Sequence, residues 1–255
     1  MTKEHSRKKE RRLVPAAALI LAVLAIFAGA YAPSAVSAAA TDRELPVYCV
    51  QRDGKYCSLT FDAAWGNEDT QRLIDILGAY NVRATFFVVG QWAEKYPESV
   101  RALHEAGHEV MNHSDTHPHM SALGSAEIGA ELRKCSDKVK SITGVGTTLF
   151  RCPYGEYDDH VIRAVSAEGM TAVQWDVDSL DWKDYDAATI TRRVMSRVQP
   201  GSIVLFHNAA LHTPEALPGI IEQLLSQGYS IIPVSELLLQ GDCFIDHTGR
   251  QCPAE

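Results

Sequence analysis

Residues 57–90, CSLTFDAAWGNEDTQRLIDILGAYNVRATFFVVG, spell a strand, a helix and a second strand in succession. SLTFD (58–62) predicts the first strand. Asn67 stands where a helix cap is needed, and Leu73, Ile76, Leu77 and Tyr80 follow at spacings of three and four, the stripe of an amphipathic helix. ATFFVVG (84–90) predicts the second strand. The alternation then repeats. HEVMNH (108–113), TTLFRCP (147–153), TAVQWDVDS (171–179), SIVLFHN (202–208) and SIIPVS (230–235) predict strands three to seven. Helices are expected between them: through Trp92, Val100 and Leu103 to Gly107, through Ile128, Leu132 and Val139 after Ser125, and over 158–168 before Gly169. Two more follow an Asp186 cap and the Thr213–Pro214 start, ended by Pro200–Gly201 and by Gly228, and a short helix begins at Ser235.

Strands separated by helices argue for a parallel sheet, because a parallel crossover needs an intervening element. The alternation alone also allows an open doubly wound sheet. Asp62, His113, Arg151, Asp178 and His207 each end a different predicted strand. A closed or nearly closed barrel would gather those ends on one face, where barrel enzymes keep their active sites. An open sheet would spread them along a line, so closure is the better account.

Ahead of this domain, residues 1–12 carry six Lys or Arg against two Glu, and residues 13–40 carry no charge and finish in SAVSAAA. That is the layout of a secretory signal. The apolar run also reaches the roughly 20 residues that span a bilayer. Cleavage and retention as a membrane-anchor helix both stay open, and either way the domain is expected outside the cytoplasm. The expected divisions are 1–40 as signal or anchor, 41–56 as linker and hairpin, 57–240 as the main domain and 241–255 as a C-terminal tail. Of 24 basic and 32 acidic side chains, 18 and 30 lie beyond the leader, a net of −12. Such a charge argues against nucleic-acid binding, and a monomer is expected.

Six cysteines in an exported chain invite disulfides. CVQRDGKYC (49–57) predicts a hairpin with Cys49 opposite Cys57, and CFIDHTGRQC (243–252) predicts a similar closure. Six reduced thiols are the alternative. Cys-x-x-Cys is absent, which disfavours a thiolate zinc site.

The polar strand ends carry the chemistry. His113 and His117 are four apart, so one helical turn would aim both imidazoles the same way, a usual half-site for a divalent metal. Asp62 follows a buried-looking strand and suits a metal ligand or a general base. Arg151 would hold a neighbouring carboxylate ionised and oriented. DVDSLDW (176–182) supplies a carboxylate that could orient a histidine. His207 is a lone histidine after an apolar strand, and only its company suggests a function.

In that order and at these intervals, TFD, H-S-x-x-H, R-x-P-Y-G, D-S-x-D-W and L-x-H resemble the five motifs of the polysaccharide deacetylases of the NodB-homology type, carbohydrate esterase family 4. The resemblance covers residues 58–238. TFDAAWGNEDT and QWDVDSLDWKD look closest to the sporulation-associated branch of Firmicutes. It implies an α/β fold, a distorted (β/α)7-type barrel, and metal-dependent removal of N-acetyl groups from an amino-sugar polymer such as peptidoglycan of wall or spore cortex. It also implies Asp62 as base, Arg151 as its partner, His207 as general acid and Asp181 as the residue that orients it. Tyr154, Trp182 and Leu205 would bind substrate. His113 and His117 would hold one divalent cation, zinc or else cobalt, manganese or nickel. Ala63 departs from the pattern, standing where the family usually has an Asp ligand. Water, Asp62 itself, or a side chain such as Asn67 or Asp69 could complete the shell; otherwise metal and activity are lost and the chain is a glycan-binding pseudoenzyme.

Overall fold

The computed structural model describes residues 43–254; the leader, with its predicted signal or anchor role, lies outside the described residues. The strands are β1 (Cys49–Val50), β2 (Tyr56–Ala63), β3 (Thr85–Val88), β4 (Glu109–Asn112), β5 (Leu149–Phe150), β6 (Thr171–Ala172), β7 (Val177–Asp178), β8 (Ser202–His207), β9 (Ser230–Ile231), β10 (Cys243–Ile245) and β11 (Arg250–Pro253). The helices are α1 (Thr70–Ala79), α2 (Gly90–Lys95), α3 (Pro97–Glu105), α4 (Ser125–Thr143), α5 (Asp159–Ala167), α6 (Ala187–Met195), α7 (Thr213–Ser226) and α8 (Val234–Leu237).

Strands β8-β2-β3-β4-β5-β6 pair in that order, all parallel, and β7 flanks the other side of β8. The sheet curls into the distorted (β/α)7-type barrel that the motif order implied. The predicted fifth strand is split into β6 and β7. Residues between them step from one edge of the sheet to the other, Val173 N–H donating to Phe150 O and Asp176 N–H to Ile203 O. The predicted seventh strand shrinks to β9, which pairs only with the start of β2; Pro233, with no N–H, follows closely.

Period-two alternation sorts the side chains. Leu59, Phe61 and Ala63 of β2, Phe86 and Val88 of β3, and Val204 and Phe206 of β8 face the helices in one apolar layer. Phe87, Met111 and Ile203 belong to a second cluster with Val234 and Leu237. Thr60 and Asp62 therefore project to the barrel side. Asp62 is level with Phe87 on β3 and His207 on β8, which is how an acid and a histidine 145 positions apart in sequence become neighbours.

Several local expectations are corrected. Asn67 does not cap α1; Asp69 is its N-cap, and Asn67 Nδ2 donates to Ser99 Oγ at 3.1 Å. Asp158 and Asp186 do cap α5 and α6, accepting from backbone N–H groups. The 49–57 hairpin is not formed: β8 lies between β1 and β2, and Cys49 and Cys57 both pair with Ser202 from opposite sides. Two strand spacings, roughly 9–10 Å, exceed disulfide reach. Residues 243–253 do form an antiparallel pair, but Cys243 faces Pro253 and Cys252 faces Phe244, so a one-residue offset puts the two thiols on opposite faces. All six cysteines are free thiols. The C-terminal hairpin β10–β11 extends the sheet by pairing with β1. Among the described residues no helix is long and apolar enough to cross a membrane.

Candidate active site

The C-terminal ends of β2, β4, β5, β7 and β8 open onto a cavity of about 430 Å³, lined among others by Asp62, His113, His117, Tyr154, Trp182, Leu205 and His207. Arg151 and Asp181 are fully buried behind these residues. Every residue predicted for the site is thus brought together.

Asp62 is held by Arg151, whose Nη1 donates to Asp62 Oδ1 at 2.8 Å and to Thr60 Oγ1 at 2.9 Å, while Nη2 donates to Gln174 O at 3.0 Å. The guanidinium lies 4.2 Å over the Phe87 ring. Burial alone would raise the Asp62 carboxyl, but the charge of Arg151, with help from His113 and His207, outweighs it and holds Asp62 below the usual carboxylate range. Oδ2, the oxygen not bound to Arg151, lies 3.6 Å from His113 Nε2.

His207 is the mirror case. Its Nδ1–H donates to Asp181 Oδ1 and its backbone N–H to Asp181 Oδ2, both at 2.8 Å. Thr213 Oγ donates to Oδ2 at 2.7 Å, and Trp182 N–H to Oδ1 at 2.9 Å. Thr213 thus spends its hydroxyl on Asp181 and not on capping α7. Burial would lower His207, yet the hydrogen bond and charge of Asp181, together with Asp62 and Asp178, raise it above 6.5.

The two metal-type histidines converge by a route other than the predicted helical turn. Residues 113–119 form a loop in which Ser114 and His117 both adopt positive φ, +67° and +60°. His117 N–H donates to Ser114 Oγ at 3.0 Å. Glu131 of α4 accepts from Asp115 N–H, Thr116 N–H and Thr116 Oγ at 2.9, 2.8 and 3.1 Å, and pins the loop. The His113 and His117 rings end 5.0 Å apart. Burial lowers both imidazoles, His117 to about 4, so both are neutral at physiological pH. Because a carbonyl only accepts, the 2.8 Å contact to Arg151 O fixes the His113 proton on Nδ1 and leaves Nε2 a free lone pair. His117 Nδ1 is buried without a partner. This donor chemistry fits a divalent cation. Among the described residues, no group of three His, Cys, Asp or Glu is arranged to hold a metal. Ala63, 1 % exposed, faces the helix layer and does not line the cavity. Neither Asn67 nor Asp69 lines the cavity: Asn67 donates to Ser99, and Asp69 Oδ2 accepts from Ala209 N–H at 2.9 Å while Oδ1 is buried without a partner.

Sequence reasoning passed over Trp65 and Asn208. Trp65 lines the cavity rim. Buried Asn208 binds the loop that carries it, accepting from Ala64 N–H at 3.1 Å and donating to the carbonyls of Trp65 and Gly66. Its place beside His207 was the available signal.

A sequence profile described as Polysaccharide deacetylase matches residues 50–173. The chain is 35 % identical over 188 residues to the peptidoglycan-N-acetylmuramic acid deacetylase PdaC of Bacillus subtilis, covering 74 % of this chain and 40 % of that protein. It spans 40 to 60 % of the length of the first curated relatives it matches. The Bc1960 peptidoglycan N-acetylglucosamine deacetylase superimposes with a TM-score of 0.73 at 30 % identity, over 75 % of this chain and 91 % of that one. BA3943 of Bacillus anthracis, described as a CE4 family pseudoenzyme, superimposes equally well, with a TM-score of 0.73 at 36 % identity over 75 % and 68 % of the two chains. A mutant of BA3943 has restored enzymatic activity. With the five motifs gathered at one barrel mouth, the profile matching the residues of the first three, and the Bc1960 deacetylase covered over 91 % of its length, the chain belongs to the polysaccharide deacetylase family, carbohydrate esterase family 4.

Proposed function

We propose that this protein is an extracytoplasmic, metal-dependent N-deacetylase of an N-acetylated amino-sugar polymer, peptidoglycan of wall or spore cortex. The observation that carries it is the opposed pair of tuned groups across one cavity: an acid that Arg151 holds low and a histidine that Asp181 pushes up. A group pushed each way is the signature of a base and an acid working in one site.

Asp62, ionised and with Oδ2 unclaimed by Arg151, takes a proton from the attacking water as its oxygen bonds to the acetyl carbon. A backbone N–H near Tyr154, where the chain turns at φ +59°, would hold the developing oxyanion. His207 gives its Nε2 proton to the departing sugar nitrogen as the C–N bond breaks, leaving acetate and a free amine. Asp181 holds the ring and stabilises its charge. Trp182 and Leu205 wall the acetyl methyl. A divalent cation held by His113 and His117 would supply Lewis-acid polarisation of the carbonyl and the water. Two neutral imidazoles offset none of the cation's charge, so binding is expected to be weak and exchangeable.

Acetate release from peptidoglycan and chitooligosaccharides, titrated with zinc, cobalt, manganese and nickel, tests this. Activity is expected to rise with added metal from a partly metal-free preparation. Ala63→Asp, which buries a carboxylate in the helix-facing layer, should lower the melting temperature of the metal-free protein. Full activity after exhaustive chelation would overturn the mechanism. The second reading, a glycan-binding pseudoenzyme, is favoured by Ala63 and by the likeness to BA3943. Glycan binding without acetate release at saturating metal would establish it.

A further inference from the structure

We propose that Trp65 is a stacking platform for the sugar unit adjacent to the one deacetylated, which makes recognition depend on polymer length. The inference rests on the proposed glycan substrate. Trp65 is 68 % exposed, whereas Trp92 nearby in the fold is buried and donates its indole N–H to Gly66 O. A lone exposed indole would mean little, but Trp65, Tyr154 and Trp182 expose aromatic surface together around one cavity, and a clustered apolar patch of that kind marks a binding site.

The ring is displayed on a fixed backbone. Asn208 binds Ala64, Trp65 and Gly66 through its side chain, and its own N–H donates to Asp62 O at 3.0 Å. The loop that presents Trp65 is therefore tied directly to the strand end that presents Asp62. All these bonds run through backbone groups of residues 64–66. Among the described residues the indole makes no hydrogen bond and is 68 % exposed, so its open face is free to serve a ligand.

Its position sets what it can touch. The indole meets the His117 ring edge-on, centroids 6.1 Å apart and planes at 62°. Tyr154, 57 % exposed, packs against His117 at 4.6 Å, and Trp182, 56 % exposed, lines the same cavity. Tyr154 and Trp182 come from the loops after β5 and β7, Trp65 from the loop after β2. An acetylated pyranose placed with its amide between Asp62 and His207 sits inside this ring of aromatics, and the next unit of the polymer crosses the rim. Pyranose rings carry an apolar C–H face that fits a flat, rigid, amphipathic ring at low entropic cost.

Calorimetric titration of the purified full-length protein with chitotetraose and with N-acetylglucosamine, in chelator so that no turnover intervenes, tests the inference. Trp65→Ala is expected to lose roughly tenfold or more in affinity for the tetrasaccharide, the size of an aromatic hot spot, with a clearly smaller loss for the monosaccharide. Trp65→Phe should recover most of the tetrasaccharide affinity. An unchanged near-ultraviolet spectrum from the remaining tryptophans checks that the fold is intact. Equal losses on both sugars, or no loss, overturn the stacking role while leaving the deacetylase reading standing. Failure of wild type to bind either sugar overturns the platform, while acetate release from peptidoglycan with metal decides the deacetylase reading separately. Trp65-dependent binding together with no acetate release supports the platform and removes only the enzyme.

Discussion

Replacing Asp181 with Asn isolates what one buried carboxylate does for one histidine. His207 is raised against the pull of burial, chiefly by the Asp181 hydrogen bond and charge. A general acid whose pKa is raised works below that pKa and fails as pH climbs through it. Asp181→Asn keeps the shape and an acceptor oxygen but removes the charge, so the alkaline limb of the kcat/KM profile should move to lower pH. If Asp62 is the base as proposed, the acid limb follows it and, with Arg151 holding it low, is expected below the ordinary 3.8. An alkaline limb that does not move would separate His207 from Asp181 in function. The same two residues show the limit of motif reading. Their identity was legible in the order of the motifs; that Thr213 and two backbone N–H groups also converge on Asp181 was not, because those contacts span 32 residues or depend on how strand and turn meet.

At the scale of elements, the loop between β4 and α4 carries both candidate metal-binding histidines and turns on two residues with left-handed backbones, Ser114 and His117. Non-glycine residues pay for positive φ, and such conformations persist only where the surroundings impose them. Glu131, reaching from α4, supplies three of those restraints. Glu131→Ala should weaken metal affinity or activity by about 10- to 100-fold, the usual effect of losing a residue that orients ligands. Glu131→Gln, which keeps an acceptor oxygen, should recover part of it. A metal-competition assay with a chromophoric chelator reads the difference; equal affinity in all three proteins would show the loop to be self-supporting. The helix spacing of His113 and His117 predicted proximity for the wrong reason: sequence distance four suits a helical turn, but two left-handed residues bring the rings together as well.

For the whole molecule, acid stability is set by buried groups far from the proposed chemistry as well as within it. His108, 4 % exposed, accepts from Ala84 N–H at 3.2 Å, packs 5.4 Å from the Phe86 ring and leaves Nε2 without a partner. Burial first, then the charge of Arg83, lowers it to about 4. A histidine with a depressed folded pKa takes up its proton more readily when unfolded, so stability is lost as pH falls from about 6.5 toward 4. The shift corresponds to about 3 kcal/mol over that window. Urea unfolding at pH 7 and pH 4.5 should show the loss, and His108→Leu should flatten it. An identical slope in the variant would assign acid lability to other groups.

The sequence by itself determined the strand–helix alternation, the seven-unit parallel barrel and the set of polar strand ends, because period-two and period-3.6 patterns are local and the motif residues are fixed in order. Asp62, His113, His117, Arg151, Asp181 and His207 could be named for the same reason. Only the tertiary structure decided which neighbours each strand has. It placed β8 between β1 and β2, which separates Cys49 from Cys57, and it turned Ala63 toward the helices while Asp62 faced the cavity. It also decided that Trp65 stands at the rim, since the loop holding it is fixed by Asn208 from 143 residues away. Pairing across such separations depends on how strands close around a common core, and no local pattern records it.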